Sequence, residues 1–412
     1  MKQLPLSFER PRAETLDLAR FDISPTRGFL PATDPKTDLP SALADAAKFG
    51  KALPHFLSEA LPRKHFRGLI EQELKLPNLG DLTVEDSETV RAIYRTYAFL
   101  ASAYVHAIDE PEVARIPACL AVPLWLSAWR LGKKPILSYD GYALWNWKRK
   151  DPKGPIAFHN LENVQNFVTL SDEPGFILSH VEIEAEAAPA IVAVGQAQQA
   201  VLEENIPALD QVLLVIASAL DRIADTLEAL PDHCRPEVFF RDLRPYIMSF
   251  GDERRGRGIV FEGVKVLGEK PVFLNGEIGA QSSIMPSLVA ALGICYTKTG
   301  MTDYLAAMEC YMPVGHREFI RAVRRGPSIR EFAKRIDVPT VTDAYNECLE
   351  AMHAFRRECL SFATEYLARR VGNLTASGGI PLEAVSTGTD ETLFVKLFSL
   401  LAEEILEHRL PS

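Results

Sequence analysis

The chain has 412 residues and a formal net charge of −10. That charge argues against nucleic acid and anionic membrane surfaces as main partners, because binding phosphate needs a cationic face. Hydrophobic residues make up 47% and charged residues 24%, the balance of a globular protein long enough for two domains and a large core.

The opening MKQLPLSFERPRAETLDLARF carries charges throughout and has no apolar core of the signal-peptide kind. FDISPTRGFLPATDPKTDLP (21–40) is rich in Pro and Asp and is expected to be an irregular arm. VRAIYRTYAFLASAYVHAI (90–108) places apolar residues at i, i+3, i+4 and i+7, so a helix is predicted there. KRKDPKGPIAF (148–158) has the composition of a linker between an N-terminal and a C-terminal helical unit. Helices follow at 176–203 and 208–230. In the first, His180 shares helical spacing with Phe176, Ile177 and Glu184, a pattern that on its own describes a structural histidine. The acidic run HVEIEAEAA reads as a solvated face.

EVFFRDLRPYIMSFG (237–251) sets Phe240 and Arg244 one turn apart, with Phe239 beside them. A guanidinium next to aromatic rings holds an aromatic amino acid by its carboxylate and its ring; a surface arginine lying over core phenylalanines fits the same pattern. RRGRG (254–258) is a short basic turn. GIVFEGVKVLGEKPVFLNG (258–276) alternates in the manner of strands and predicts a small hairpin between helices. SSIMPSLVAALGICY (282–296) is too short to cross a bilayer and contains a proline. Helices are predicted again at 302–312 and 316–325, where His316 aligns with Phe319, Ile320 and Val323 as a core histidine.

From 340 to 371 the pattern predicts one long helix, beginning after Pro339 and ending at Gly372. Cys348, Met352, Phe355, Cys359, Phe362 and Tyr366 form one apolar seam along it, which turns Cys359 inward. His353 belongs to a neighbouring face nearer the rim. A buried cysteine is commonly a small core residue; Arg356, one turn before Cys359, favours thiolate over thiol. NLTASGGIP (373–381) separates this helix from a last one at 390–409. The six cysteines (119, 234, 295, 310, 348 and 359) are scattered and lack any C-x-x-C, as expected of free thiols in a reducing cytoplasm. Signatures for phosphate loops, dinucleotide folds, zinc proteases and serine hydrolases are missing, which points to a cofactor that carries the chemistry. The fold class read from this pattern is all-α with two lobes.

Several segments together resemble the indoleamine 2,3-dioxygenase family of haem enzymes, which open the indole ring of tryptophan. RGFLP, YDGYALWNWKRKDP, GFILSHVEIEAEAAPAI, FFRDLRPY, GAQSS, YMPVGHREF, SIREF, DAYNECLEAM and STGTD occur in the family's order and spacing over nearly the whole chain. The resemblance implies a small N-terminal domain with linker over 1–167 and a large helical haem-binding catalytic domain over 168–412. It implies haem b (iron protoporphyrin IX) as cofactor. The partners it implies are an indole substrate, O2 or peroxide and an electron donor, with the protein a monomer or weak homo-oligomer.

Position by position, Tyr139, Tyr142 and Ala143 match the distal indole pocket, and Phe176, Phe239 and Phe240 match rings that pack on the substrate. Arg244 matches the carboxylate-binding arginine. Gly279 and Ala280 match the substrate-lining segment along the haem edge, where Ile278 replaces a serine. Ser386, Thr387 and Gly388 match the tip of a loop closing over the substrate, and Arg356 matches a group near the haem propionates. Two positions depart from the family. The iron-ligating histidine falls on Cys359, with His353 its rival in a shifted register, and a distal serine falls on His180. Tryptophan 2,3-dioxygenases also place a histidine on that side, against the indole N–H. A thiolate favours O–O cleavage, and His180 is a candidate acid/base. Transfer of one oxygen or ring opening by two is therefore expected; a haem sensor or carrier without turnover is the alternative.

Overall fold

We describe a computed structural model of the chain, which covers residues 12–58, 60–82, 85–251, 253, 256–276, 279–367 and 393–411. Fourteen helices dominate these residues. They are α1 Ala44–Ser58, α2 Ala60–Glu73, α3 Ser87–Val105, α4 Ala118–Arg130, α5 Asp172–Leu202, α6 Ile206–Glu228 and the short α7 Leu230–His233 and α8 Pro236–Val238. The remainder are α9 Ile284–Ala291, α10 Gly300–Met308, α11 Val314–Arg325, α12 Ile329–Ile336, α13 Pro339–Tyr366 and α14 Leu393–Leu406. The fold is all-α, as the periodicity predicts.

Local chemistry fixes the helix starts. The Asp86 carboxylate accepts from the backbone N–H of Glu88 and Thr89 ahead of α3; Asn205 and Ser328 do the same for α6 and α12. Helix α13 starts at Pro339, where a missing N–H costs nothing. It is described to Tyr366; the stretch 368–392, which includes the expected break at 373–381, lies outside the described residues.

The most extensive helix packing sets α6 against α5 on one side and α13 on the other, with α14 laid along α13. The thiol of Cys348 reaches the Leu213 carbonyl at 3.0 Å, tying α13 to α6. One apolar core runs from Phe21 to Leu410. The Pro/Asp-rich arm belongs to it: Phe21, Ile23, Phe29 and Leu30 are buried. The arm lies so close to α11 that a Cβ on Gly315 would stand 2.1 Å from the Phe21 carbonyl oxygen.

Two expectations about strands change. The 148–158 stretch, expected as a linker, ends β2 Trp147–Arg149 and runs into the loop that returns to β3 Leu161–Asn163, an antiparallel hairpin. Arg149 anchors the hairpin to Asp34 at 2.9 Å. The 258–276 segment does fold back on itself, through the antiparallel bridge Ile259–Val272. Its one regular strand, however, β4 Val260–Phe261, pairs in parallel with β1 Arg115–Ile116. No helix among the described residues is long and apolar enough to cross a membrane.

Candidate functional site

Three segments converge on the first half of α5. Residues Asp140–Leu144 form a π-helical turn that carries Tyr142 and Ala143, with Tyr139 just before it. A second π-helical turn, Phe239–Leu243, carries Phe239 and Phe240 and runs directly into Arg244. Such turns widen the backbone spiral and re-aim side chains, and they recur at functional sites. The third segment is the 3-10 turn Gly279–Gln281 with Ser282 after it. Gln281 clamps it to the first, accepting the Tyr139 N–H at 2.9 Å and donating to the Gly276 carbonyl at 2.8 Å.

The rings form a continuous cluster. Phe176 lies 4.4 Å from His180, 4.8 Å from Phe239 and 6.2 Å from both Tyr142 and Phe362, centroid to centroid. Tyr139 meets His180 edge to face at 6.0 Å, and Phe362 stacks on Tyr366 at 4.0 Å. The predicted rings of α5, of the two π turns and of α13 therefore share one place. Arg244, directly after the second π turn, is buried with its guanidinium 5.2 Å from the ring centre of Phe240, a ring that packs with Met301, Ala363 and Leu401, and burial lowers the arginine's pKa.

His180 places Nδ1 2.8 Å from the Phe176 carbonyl. Because a carbonyl only accepts, Nδ1 carries the hydrogen, and in the neutral ring Nε2 is then an acceptor. Burial lowers the pKa of this ring, only partly offset by the carbonyl, so the neutral form is favoured. As a proton donor at neutral pH, His180 is poorly set up; as an acceptor it is well set up.

On α13, Cys348, Met352 and Tyr366 are sealed, whereas Cys359 and Phe362 keep partial access. The Cys359 sulfur makes no hydrogen bond to another described residue and is in no disulfide. Burial pushes its pKa up to about 12, outweighing the lowering by Arg356. The thiolate expected beside that arginine is thus, without a bound cation, a thiol. Arg356 is buried, lies 5.8 Å from the Phe398 ring centre, and leaves its Nε without a partner. His353 faces the other way, its Nε2 3.4 Å from Glu403 on α14. A soft, half-buried sulfur in no disulfide and a buried arginine one turn away form a donor set that suits an iron porphyrin, with iron for the sulfur and a propionate for the guanidinium.

Gly279 is exposed and Ala280 half-buried at the rim. Ile278, Ser386, Thr387 and Gly388 lie outside the described residues. His316 is a core histidine as expected, 3.2 Å from the Ser283 hydroxyl and tilted against the Phe29 ring at 4.5 Å between centroids, its pKa pushed down to about 3 by burial.

The sequence reading missed two groups. Glu184, assigned to a wet face, is 1% exposed; it accepts from the Ser282 hydroxyl at 2.7 Å and from Tyr139. Lys133 and Asp140 form a fully buried ion pair under the first π turn. Lys133 also donates to Ser138 at 3.0 Å and to the Tyr311 carbonyl at 2.8 Å, while Asp140 accepts the Gly141 N–H at 2.8 Å. Removing one member of such a pair strands the other charge, so Lys133→Met is expected to cost about 3–5 kcal/mol. A thermal or denaturant melt measures this, and Lys133→Met with Asp140→Asn should recover part of the loss. Equal stability of Lys133→Met and wild type would exclude this anchoring role.

The profile of the family described as "Indoleamine 2,3-dioxygenase" matches residues 17–377. Among individual proteins, indoleamine 2,3-dioxygenase 1 of Rattus norvegicus is 30% identical over 338 residues, 78% of this chain and 82% of its own. Indoleamine 2,3-dioxygenase 2 of Homo sapiens is 28% identical and covers 97% of each chain. The 6-hydroxytryptophan 2,3-dioxygenase of Fusarium equiseti is 26% identical, covering 95% of this chain and 97% of its own.

Proposed function

The chain belongs to the indoleamine 2,3-dioxygenase family of haem-dependent oxidoreductases acting on indole amino acids, and on that premise we propose a member that oxygenates L-tryptophan or a ring-substituted tryptophan with Cys359 holding the iron of haem b. The observation that carries this reading is the placement of Cys359. Its half-buried sulfur, in no disulfide, lies on the seam that brings Phe362 to Phe176, one turn from a buried arginine with an open Nε. His353, engaged with Glu403, is the weaker candidate.

In this reading Arg244 binds the substrate carboxylate, and the adjoining rings of Phe176 and Phe239 pack on the indole with Phe240 at the entrance. The indole N–H donates to Nε2 of His180, which fixes the ring's orientation and keeps a neutral, desolvated pocket around it. Tyr139, Tyr142 and Ala143, from the proposed 1–167 unit, form the far wall; the 168–412 unit carries every proposed haem contact. Arg356 binds a propionate. Bound haem would supply oxygen activation, and ligation by the Cys359 thiolate would bias it toward O–O cleavage. The neutral His180 favours a second outcome alongside single-oxygen transfer. Two-oxygen ring opening has no net demand for protons or electrons, whereas releasing one oxygen atom of O2 as water consumes two protons and two electrons, neither of which a neutral imidazole stores.

Two measurements on haem-loaded protein test the reading. The ferrous–carbonyl absorption spectrum is expected to be of the thiolate type, and imidazole-type absorption would rule out the Cys359 assignment. Mass spectrometry of tryptophan turned over under labelled O2 is expected to show labelled product. Binding of haem and tryptophan without any product would instead identify a sensor or carrier.

A further inference from the structure

Glu184 sits one turn beyond His180 on α5 and is sealed from solvent. One of its oxygens, Oε1, takes the Ser282 hydroxyl at 2.7 Å, and the Tyr139 hydroxyl donates to the same carboxyl. The other, Oε2, is buried and has no hydrogen-bond partner. Tyr139 connects this carboxyl to the pocket, because its ring also meets His180 edge to face. Glu184, Tyr139, Ser282 and His180 thus bring together all the segments assigned to the wall around the indole, the 237–247 stretch excepted.

A carboxyl here is an expensive way to satisfy two hydroxyls. A buried acceptor left unsatisfied costs about 1–3 kcal/mol, and a water-bridged hydroxyl would serve Ser282 and Tyr139 without leaving a polar atom unpaired. Burial pushes the Glu184 pKa up to about 7, with no cation among its causes, so the carboxyl is available in both protonation states near neutrality. Ionised, Oε2 needs a donor; protonated, its O–H needs an acceptor. A hydroxyl group serves both states, whereas an amino group serves only the first, and a methyl or halogen serves neither.

We propose that Glu184 is a specificity-determining residue whose Oε2 recognises a hydroxyl group on the six-membered ring of the indole substrate. The inference rests on the tryptophan-oxygenase reading above and adds to it the identity of the ring substituent. Recognition of this kind rejects the analogue that lacks the hydroxyl, because the protein's polar group is then left buried and unpaired.

The experiment is calorimetric titration of the haem-loaded protein with L-tryptophan, its 4-, 5-, 6- and 7-hydroxy isomers, and the matching fluoro- and aminotryptophans. At least one hydroxy isomer is expected to bind about tenfold tighter than tryptophan, the size of one good buried hydrogen bond, with its fluoro analogue showing no gain. Glu184→Leu should collapse the ratio of the two dissociation constants to about one. Glu184→Gln keeps the shape and an acceptor for Ser282 and Tyr139, but turns Oε2 into a donor. It should therefore retain part of the hydroxyl preference and lose any preference for an amino group, which keeps the test open if the leucine variant fails to fold. A purely structural glutamate would move all dissociation constants together and leave the ratios intact; that result overturns the proposal, as does equal wild-type affinity across the panel. Failure of the wild type to bind any indole amino acid would overturn both this inference and the function it rests on, whereas tight binding of tryptophan without hydroxyl preference would overturn this inference alone.

Discussion

Cys359→Ser, loaded with haem, is expected to lose the thiolate-type carbonyl spectrum and at least ~100-fold of its turnover, since even residues behind a metal ligand contribute 10–100-fold. The surroundings of the sulfur make the expectation specific. Burial holds the free thiol near a pKa of 12, so only binding to a metal makes a stable thiolate there. Serine preserves the volume and removes the soft donor. The fold should be indifferent, because Cys348, Met352, Phe355 and Tyr366 carry the seam that buries α13. Cys359→His is a second arm: it should restore haem binding with imidazole-type absorption and shift the product from one added oxygen toward two. His353→Ala should leave the spectrum unchanged, its ring being turned to Glu403. If instead His353→Ala removes the axial ligand and Cys359→Ser does not, the register assumed for α13 is wrong.

The course of the helices is legible in the residues because burial on one face imposes a 3.6-residue period that no other structure reproduces. What the period cannot encode is pairing between distant segments. Alternation over 258–276 announces extended chain, yet its partner is Arg115–Ile116, more than a hundred residues away. The Lys/Pro/Gly content of 148–158 announces a turn, and whether a turn joins lobes or closes a hairpin depends on flanks as short as three residues each. Nor do the π turns under Tyr142 and Phe239 leave any mark on composition.

Glu184 was, by contrast, readable and misread. Glu182, Glu184 and Glu186 look like one acidic face, but two residues on a helix are about 200° of rotation, so the middle one points away from the other two. It falls instead on the side of His180, four residues earlier, and the structure buries it while leaving Glu182 and Glu186 partly accessible. The grouping of Phe239, Phe240 and Arg244 was correctly read as adjacency. That the arginine is buried and not a surface clamp needed the packing of the second π turn.

Truncating Arg244 carries the second large effect. Arg244→Ala is expected to raise the dissociation constant for L-tryptophan about 30-fold or more, the equivalent of at least ~2 kcal/mol for removing one partner of a buried charge pair. Indole and tryptamine, which lack the carboxylate, should move by less than about threefold. The physical ground is that Arg244 is 6% exposed, that burial works against its charge, and that a guanidinium nevertheless stays protonated. Its planar fork beside Phe240 matches a carboxylate brought by the ligand in two hydrogen bonds. Arg244→Lys separates the charge from the fork: it should recover only part of the affinity, because a point charge on a flexible stem does not reproduce the bidentate contact. Calorimetry on the three proteins with the three ligands measures this. Should indole lose affinity as much as tryptophan does in Arg244→Ala, the arginine shapes the pocket through Phe240 and does not read the carboxylate.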